Sequence, residues 1–431
     1  TWPGNSSILP PDRDLTGIAP KVVSIAWLEK ARSDNLYDMA RIAVYMRWLL
    51  SRLNANKYLL PFTRLELRHE ILNSSTSSAE FTAACERVRR EAEAEGKPVV
   101  GFIASGTSRT KEVLKMSSPL PTVSYSSTQA IMENITQFPW LVRMFPSDSQ
   151  RAEATTQMLR NYEWTKVFMI VDQASTWANS LAKSITDKSS NYGIVLENWW
   201  TPHLRNMSEI NATRLDLLAA AKHARSKGYK VIVLSMSKYV ELAVRALYDE
   251  GLYGEGIVII GSVDSFFVRT KAAFSGPERT VLDASMALVE SGVDRGVKHS
   301  IETMAAWPEG ADSFLTSAHM SRTAYAIDGL QLLAHAIDAT ISRDKSPFIA
   351  SEIMSSLRTT AVQGLTGEVK IETNWNNIRS RSYTITMSRV LHGHNTVVGR
   401  LSGENNNTGT SIAMEKLGVV YTDKADMREC E

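Results

Sequence analysis

Short apolar segments alternate with longer amphipathic segments along most of the 431 residues. The apolar segments have the length of a β-strand, as in Val99–Ala104, whereas segments such as Leu36–Leu53 repeat apolar residues at helical spacing. Parallel strands need a crossover connection, which is usually a helix, so this alternation is typical of a parallel sheet covered by helices. The sequence therefore predicts an α/β fold.

The alternation occurs in two sets. A long helix is predicted at Ser317–Ile341, and after Gly364 the pattern becomes that of antiparallel strands separated by Asn- and Gly-rich turns. We therefore expect two α/β lobes, with the first lobe resuming after the second and a short β segment at the end. The predicted strands of the two sets are Lys21–Trp27, Leu65–Leu72, Val99–Ala104 and the segment at Val123, and then Lys166–Val171, Ile194–Trp200, Lys230–Ser235, Ile257–Ser262 and Val281–Val289.

Hydroxyl-bearing residues follow two neighbouring predicted strands of the first set. Ser105 and Gly106 come directly after Val99–Ala104, and Ser126 and Thr128 follow the strand at Val123. Strand ends of a parallel sheet meet at one edge, where the N-termini of the following helices carry partial positive charge and free N–H groups. These residues predict a binding site for a small anion, although helix N-capping would explain each serine and threonine equally simply.

Composition excludes several classes of function. Forty-eight Lys and Arg residues against 46 Asp and Glu residues give no electrostatic support for a nucleic-acid partner. No run reaches the 18 apolar residues that a membrane-spanning helix needs. The two cysteines are too few for a disulfide framework, and the helical pattern around Cys85 predicts a buried free thiol. Cys430 could cross-link to a partner or pair within a segment outside this chain.

No constellation of residues supports catalysis. The stretch Gly106–Lys111 lacks the second glycine and the Lys-Ser/Thr pair of a phosphate-binding loop, and there is no Gly-x-Ser-x-Gly nucleophile motif. His392 and His394 form the only close histidine pair and have no carboxylate or cysteine nearby in the sequence. We therefore expect a protein that is not an enzyme and that has no metal and no cofactor.

Six Asn-x-Ser/Thr sequons are a modest excess over chance and favour a secreted or luminal protein of eukaryotic origin. They begin at Asn5, Asn73, Asn134, Asn206, Asn211 and Asn406. The chain begins at Thr1 without a signal-like segment, so we expect it to be a processed piece of something larger.

Several stretches, taken in order, resemble the type I periplasmic-binding-protein or Venus-flytrap ectodomains of eukaryotic receptors. This family (the ANF-receptor family) includes class C G-protein-coupled receptors, receptor guanylyl cyclases of the natriuretic-peptide type and the amino-terminal domains of glutamate-receptor channels. The resemblance covers residues 20 to 402. The matching stretches are Val99–Ser108, Pro121–Thr128, Phe138–Asp148, Tyr162–Val167, Thr323–Leu330, Gly364–Val369 and Ser382–Ile385.

The resemblance implies roles for residues that the pattern alone does not assign. In amino-acid-binding members the ligand carboxylate is held by hydroxyls that match Ser105, Ser126 and Thr128, with the backbone around Gly106. Carboxylates for the ligand ammonium match Asp148 and Asp264, and a covering aromatic residue from the second lobe matches Trp177. Tyr37 and Arg41 resemble a pair that holds a distal acid in glutamate-type members.

The resemblance also implies an arrangement of domains: two Rossmann-like lobes with parallel central sheets, joined by a multi-strand hinge. The first, membrane-distal and dimerising lobe would comprise residues 20–149 and 282–362, and the second 150–281 and 363–402. Residues 403–431 would lead towards a membrane-proximal part and a membrane signalling domain.

Three functions follow from the resemblance and stay open at this point. The expected function is that of a dimeric extracellular receptor domain, which would bind an amino acid or a similar small ligand in the interlobe cleft and signal by closing. The alternatives are a ligand-free or peptide-binding dimerisation module and a soluble transport-type binding protein. A gene that continues into a membrane helix would exclude the last.

Overall fold

The computed structural model describes residues 21–31, 36–201, 210–236, 239–261, 276–282, 285–290, 320–372, 378–379, 383–389, 394–406 and 409–416. These residues form two compact units, in which strands and helices are numbered along the chain. The described residues up to 147 and from 320 to 379 make up the first unit, and those from 148 to 290 and from 383 to 416 make up the second.

The first unit has a mixed sheet with the strand order β11-β12-β13-β5-β4-β3-β1-β2. Strands β1 to β5 are parallel, and β11 and β12 form an antiparallel hairpin that joins the sheet through β13. Its elements are β1 (Val22–Lys30), α1 (Leu36–Ala55), β2 (Arg64–Leu72), α2 (Ser78–Ala94), β3 (Val99–Ala104), α3 (Gly106–Leu114), β4 (Thr122–Ser124), β5 (Leu141–Arg143), α9 (Met320–Ile341), α10 (Ala350–Thr359), β11 (Ala361–Gly364), β12 (Gly367–Glu372) and β13 (Ile378–Arg379).

The second unit repeats this order, with the sheet β16-β15-β14-β10-β9-β8-β6-β7. Strands β6 to β10 are parallel, and β14 to β16 extend the sheet antiparallel from β10. Its elements are α4 (Asp148–Asn161), β6 (Lys166–Asp172), α5 (Thr176–Ser189), β7 (Val195–Thr201), α6 (Ile210–Ser226), β8 (Val231–Ser235), α7 (Val240–Asp249), β9 (Val258–Gly261), α8 (Pro277–Leu282), β10 (Met286–Glu290), β14 (Tyr383–Arg389), β15 (His394–Asn406) and β16 (Gly409–Lys416).

Each sheet has an apolar core on both of its faces. In β1, Ile25 and Trp27 belong to the core shared with α1, α9 and α10, whereas Ala26 and Leu28 belong to the core shared with α2 and α3. The second sheet is covered in the same way, by α4 and α5 on one face and by α6, α7 and α8 on the other. Burial on both faces explains why the central strands are continuously apolar. The predicted α/β fold with two Rossmann-like units is confirmed.

The division into units differs from the sequence-based boundaries at four places. Asp148 begins helix α4 of the second unit, although the first lobe was expected to extend to residue 149. Strand β10 pairs with β9, so residues 286–290 belong to the second sheet and not to the first lobe. The hairpin of β11 and β12 belongs to the first unit, although the second lobe was expected to resume at residue 363. Strand β16 pairs with β15 along its length, so residues 409–416 extend the second sheet. In addition, Val281 and Leu282 end helix α8, where a strand was predicted from residue 281.

Helix α9 fixes the hairpin of β11 and β12 through one buried carboxylate. Asp328 is fully buried and accepts hydrogen bonds from the backbone N–H groups of Leu365, at 2.6 Å, and Thr366, at 3.1 Å, as well as from the Thr366 hydroxyl. A Cβ at Gly364 would overlap the carboxylate, and one at Gly329 would come within 2.9 Å of Val123 Cγ1 in the neighbouring strand β4. The helix therefore lies closer to the sheet and the hairpin than a side chain at either glycine permits.

Replacing Asp328 with Ala should strongly destabilise the first unit. Two buried backbone N–H groups would lose their acceptor, at a cost of about 1–3 kcal/mol each. The variant T366V keeps both backbone hydrogen bonds and should cost about 1 kcal/mol. Urea unfolding of the two variants measures the difference, and equal losses would contradict the assigned role of the carboxylate.

Candidate functional site

Polar residues collect where β1, β3 and β4 end in the first unit. The register pairs Trp27 with Ile103 and Ala104 with Ser124, so the residues just beyond them lie side by side. These residues are Glu29 on β1, Ser105 after β3, and Ser126 after β4. The structure thus brings together the predicted serines at one edge of the sheet, and it adds a carboxylate that the sequence analysis did not single out.

Glu29 is fully buried and accepts three hydrogen bonds. Its Oε1 accepts from Trp27 Nε1 at 3.0 Å and from the Tyr125 hydroxyl at 3.1 Å, and its Oε2 accepts from Ser105 Oγ at 2.5 Å. Burial raises the pKa of Glu29, whereas these hydrogen bonds and the positive charge of Arg109 act in the opposite direction. A buried carboxylate that is this well supplied with donors is held in one orientation.

Ser105 does not cap the helix that follows it. The residue has the extended backbone of an N-cap, but its side chain makes no hydrogen bond to the N-terminus of α3. Its hydroxyl is directed to Glu29 instead. The capping explanation that was open for Ser105 is therefore excluded by the geometry.

Ser126, which follows the neighbouring strand β4, caps the N-terminus of α3 in place of Ser105. The Gly106 N–H donates to Ser126 Oγ at 2.7 Å, and Gly106 has a φ of 55°, which only glycine adopts without strain. Thr110 Oγ1 donates to the Gly106 carbonyl at 2.7 Å and lies 3.0 Å from Ser124 Oγ. This network ties the start of α3 to the end of β4.

Basic side chains surround the segment that continues from Ser126. Thr128 is buried, and the next residue, Gln129, accepts hydrogen bonds from Lys111 Nζ at its side chain and from Arg143 Nη1 at its carbonyl, both at 3.1 Å. Arg143 is itself fully buried and lies 3.7 Å from the Glu133 carboxylate. Side chains from α3 and β5 thus fix the position of the segment that follows Ser126.

Two of the other predicted site residues belong to the second unit. Asp148 is the buried first residue of α4, and Trp177 is partly buried against the core beside α4 and α5, both in the second unit. Asp264 lies outside the described residues. Tyr37 and Arg41 belong to the first turns of α1, where only the backbone is described.

Three of the six sequon asparagines are exposed in the structure. Asn73 and Asn134 lie in turns, where each side-chain oxygen accepts backbone N–H groups, and Asn211 lies in the first turn of α6. Asn5 and Asn206 fall outside the described residues, and Asn406 ends β15 with its backbone alone described.

Cys85 is a buried free thiol, as predicted, and burial raises its pKa to about 12. Cys430, His392 and the segment after residue 416 lie outside the described residues. Within the described part of the chain, no group of three or more His, Cys, Asp or Glu residues is arranged to hold a metal ion. None of the helices described there is long and apolar enough to cross a membrane.

The second unit contains a small cavity of about 10 Å³, room for about one water molecule, between α4, α5 and the sheet. One side is polar, with Arg151 and Thr155 from α4, and the remaining lining is apolar. The apolar lining comes from Leu181, Val233, Ile260, Gly261 and Leu288. No residue of this cavity was predicted as a site residue.

Two units with this repeated strand order define the periplasmic-binding-protein-like class of ligand-binding proteins. Residues 46–388 match the family model described as the receptor family ligand binding region, the ANF-receptor family. The chain belongs to this family, as the resemblance implied.

One relative is Guanylate cyclase 32E of Drosophila melanogaster. It is 22% identical over 193 residues, which make up 43% of this chain and 16% of that protein. The chain thus matches only a small part of the length of this relative.

Glu29 was not predicted as a site residue, because the first strand was expected to end at Trp27. The segment Val22–Leu28 is apolar except for Ser24 and ends directly before Glu29, so the pattern did not indicate that the strand includes the carboxylate. In the structure β1 continues to Lys30. The sequence did contain one signal for this site residue: a charged residue near the end of an apolar strand, in the same predicted sheet as the serines that follow the neighbouring strands.

Replacing Glu29 with Gln should remove part of the pH dependence of folding. Because burial raises the pKa of Glu29 above the ordinary carboxyl value of 4.5, the folded state keeps a proton that the unfolded chain releases above that pH. The wild type should lose stability relative to E29Q as the pH rises from 4.5 through the folded-state pKa, by about 1.4 kcal/mol for each pKa unit between the two states.

Urea unfolding of the two proteins over this pH window measures the effect. Every other residue is the same in the two proteins, so the pH dependence that does not arise from Glu29 largely cancels in the comparison. A stability difference that stays constant with pH would contradict the expected titration.

Proposed function

We propose that this chain is the extracellular ligand-sensing domain of a membrane receptor and that it binds a small polar ligand, most simply an amino acid, without catalysing a reaction. Membership of the receptor ligand-binding family supports a binding function. The polar strand ends of the first unit carry the proposal, because Ser105, Ser126 and Glu29 stand at the edge where open α/β sheets bind ligands.

The chemistry of this edge suits a ligand of a few polar atoms. Ser105 and Ser126 are each partly exposed, and both are held in place by hydrogen bonds to buried or backbone groups. Fixed hydroxyls of this kind bind a small ligand without losing much side-chain freedom. A ligand that binds one conformation of the domain better than another then shifts the population between them, which is the proposed signal.

The signal would pass to a region outside these 431 residues, in a receptor that dimerises through the first unit. The similarity to part of Guanylate cyclase 32E supports a receptor whose output is a guanylate cyclase at least as well as one coupled to G proteins. The sequon asparagines at Asn73, Asn134 and Asn211 are exposed and support an extracellular location.

A second candidate is a module that works through dimerisation or peptide binding and leaves this edge empty. One observation favours it: two of the donors expected for an anionic ligand, the Ser105 hydroxyl and the Gly106 N–H, are already used within the protein. Ligand-binding measurements separate the two candidates.

An amino acid that binds should raise the melting temperature of the domain. At ~100 times its dissociation constant it adds about 2.7 kcal/mol, which corresponds to a shift of a few degrees for a protein of this size. Thermal unfolding across a panel of amino acids and small anions measures the shift. The double variant S126A/T128A should lose it, because the partly exposed Ser126 hydroxyl stands at the proposed edge and Thr128 is matched to the same role by the family resemblance.

The variant S127A is the matched control. Ser127 lies between the two tested residues, but it is buried and donates to Met132 Sδ at 3.3 Å, away from a ligand. It should keep the full ligand-induced shift relative to its own ligand-free melting temperature. If no compound shifts the wild type, the dimerisation or peptide-binding candidate is favoured.

Expression in a eukaryotic secretory pathway should add glycans at Asn73, Asn134 and Asn211, because each of these asparagines is exposed. Treatment with peptide N-glycosidase F followed by mass spectrometry identifies the occupied sites through conversion of Asn to Asp. The triple variant with Gln at these positions should lose the corresponding mass. Unmodified protein from such cells would contradict the extracellular location.

A further inference from the structure

The two serines at the strand ends of the first unit have opposite hydrogen-bonding roles. Ser105 donates its single hydroxyl proton to Glu29 Oε2, so the lone pairs of its oxygen are left to face outwards. Ser126 accepts from the Gly106 N–H and so keeps its own proton to donate. One hydroxyl is therefore arranged as an acceptor and the other as a donor.

We infer that Ser105, backed by the buried Glu29, binds the ammonium group of the ligand, and that Ser126 binds its carboxylate. This inference rests on the proposed function and refines it. It reverses the role expected for Ser105, which was to hold the ligand carboxylate. Glu29 is a positioning residue here, because it acts on the ligand through Ser105.

The hydrogen bonds to Glu29 fix the direction of the Ser105 proton. Trp27 Nε1 can only donate, and together with the Tyr125 hydroxyl it occupies Oε1, so Oε2 is left for Ser105. Above its folded-state pKa, the Glu29 carboxylate accepts all three hydrogen bonds and has no proton to donate to the serine. An anion placed against Ser105 would meet the lone pairs of its oxygen with a buried negative charge behind them, whereas an ammonium group would be attracted by both.

The variant E29Q reverses this arrangement with little change in shape. The amide oxygen of Gln would take the place of Oε1, because Trp27 and Tyr125 both donate there. The amide NH2 group would then face Ser105 and donate to it, and the serine proton would turn outwards. The variant should therefore exchange an acceptor for a donor at the ligand site.

The test uses two probes in NMR titrations of the 431-residue chain with ¹³C-labelled glutamate carboxyl groups, at a pH above the folded-state pKa of Glu29. Glycinamide carries the ammonium group without the carboxylate, and N-acetylglycine carries the carboxylate without the ammonium group. In the wild type, glycinamide should shift the carboxyl ¹³C signal of Glu29, which is assigned by its absence in E29Q. N-acetylglycine should leave that signal unchanged and should lose binding in S126A.

In E29Q the half-saturating concentration of glycinamide should rise about tenfold, which corresponds to about 1.4 kcal/mol, and that of N-acetylglycine should stay the same or fall. E29D should restore part of the glycinamide binding. The control is E112Q, which alters another buried carboxylate that pairs with Lys30 and should behave as the wild type. If E29Q does not fold, S105A serves instead, because it keeps Glu29 with two of its donors.

Three results would overturn the inference: binding of glycinamide that neither E29Q nor S105A weakens, binding of N-acetylglycine that shifts the Glu29 signal, or no binding of glycinamide. An amino acid that stabilises the domain in an S126A-sensitive manner would then leave the proposed function standing without this assignment. If no amino acid stabilises the domain either, the proposed function and this inference both fail.

Discussion

Both sheets are covered by helices on both faces, and this arrangement governs which side chains their strands can carry. Apolar residues on either side of a central strand need no partner, but a polar one must be supplied with hydrogen bonds inside the core, because burial without them is costly. Asp328 obtains its donors from the hairpin of β11 and β12, and Glu29 obtains them from β1 itself, from Ser105 and from Tyr125. At these two buried carboxylates of the first unit, hydrogen bonds therefore join elements that are separate in the chain.

The fold could be predicted from the sequence wherever local pattern decides the structure. Strand β3 was predicted with the bounds that are observed, since an apolar run between Pro98 and Ser105 has no other local interpretation. The assignment of β10 and of the hairpin to their units could not be predicted, because strand pairing joins residues far apart in the chain. For the candidate site, the position after two predicted strands and the family resemblance indicated Ser105 and Ser126 but not the buried partner of Ser105. Which way a hydroxyl points depends on neighbours from three strands.

The start of helix α3 shows how two equivalent explanations of a residue are separated by geometry. Ser105 and Ser126 both stand where a capping residue or a ligand-binding residue is expected. In the structure Ser126, which follows the neighbouring strand, caps the helix. The Ser105 hydroxyl makes no cap and donates to Glu29 instead. Family membership, in contrast, supports a ligand-binding domain and leaves the chemistry of the ligand to these side chains.

The close approach of Gly364 to Asp328 links the evolution of two positions that are 36 residues apart in the sequence. While position 328 holds an aspartate whose carboxylate fastens the hairpin, position 364 has no room for any side chain. A smaller residue at 328 would make room at 364, but it would leave the N–H groups of Leu365 and Thr366 without their acceptor. A substitution at either position alone is therefore expected to destabilise the fold. Substitutions accepted at one of them in related chains should depend on the residue present at the other.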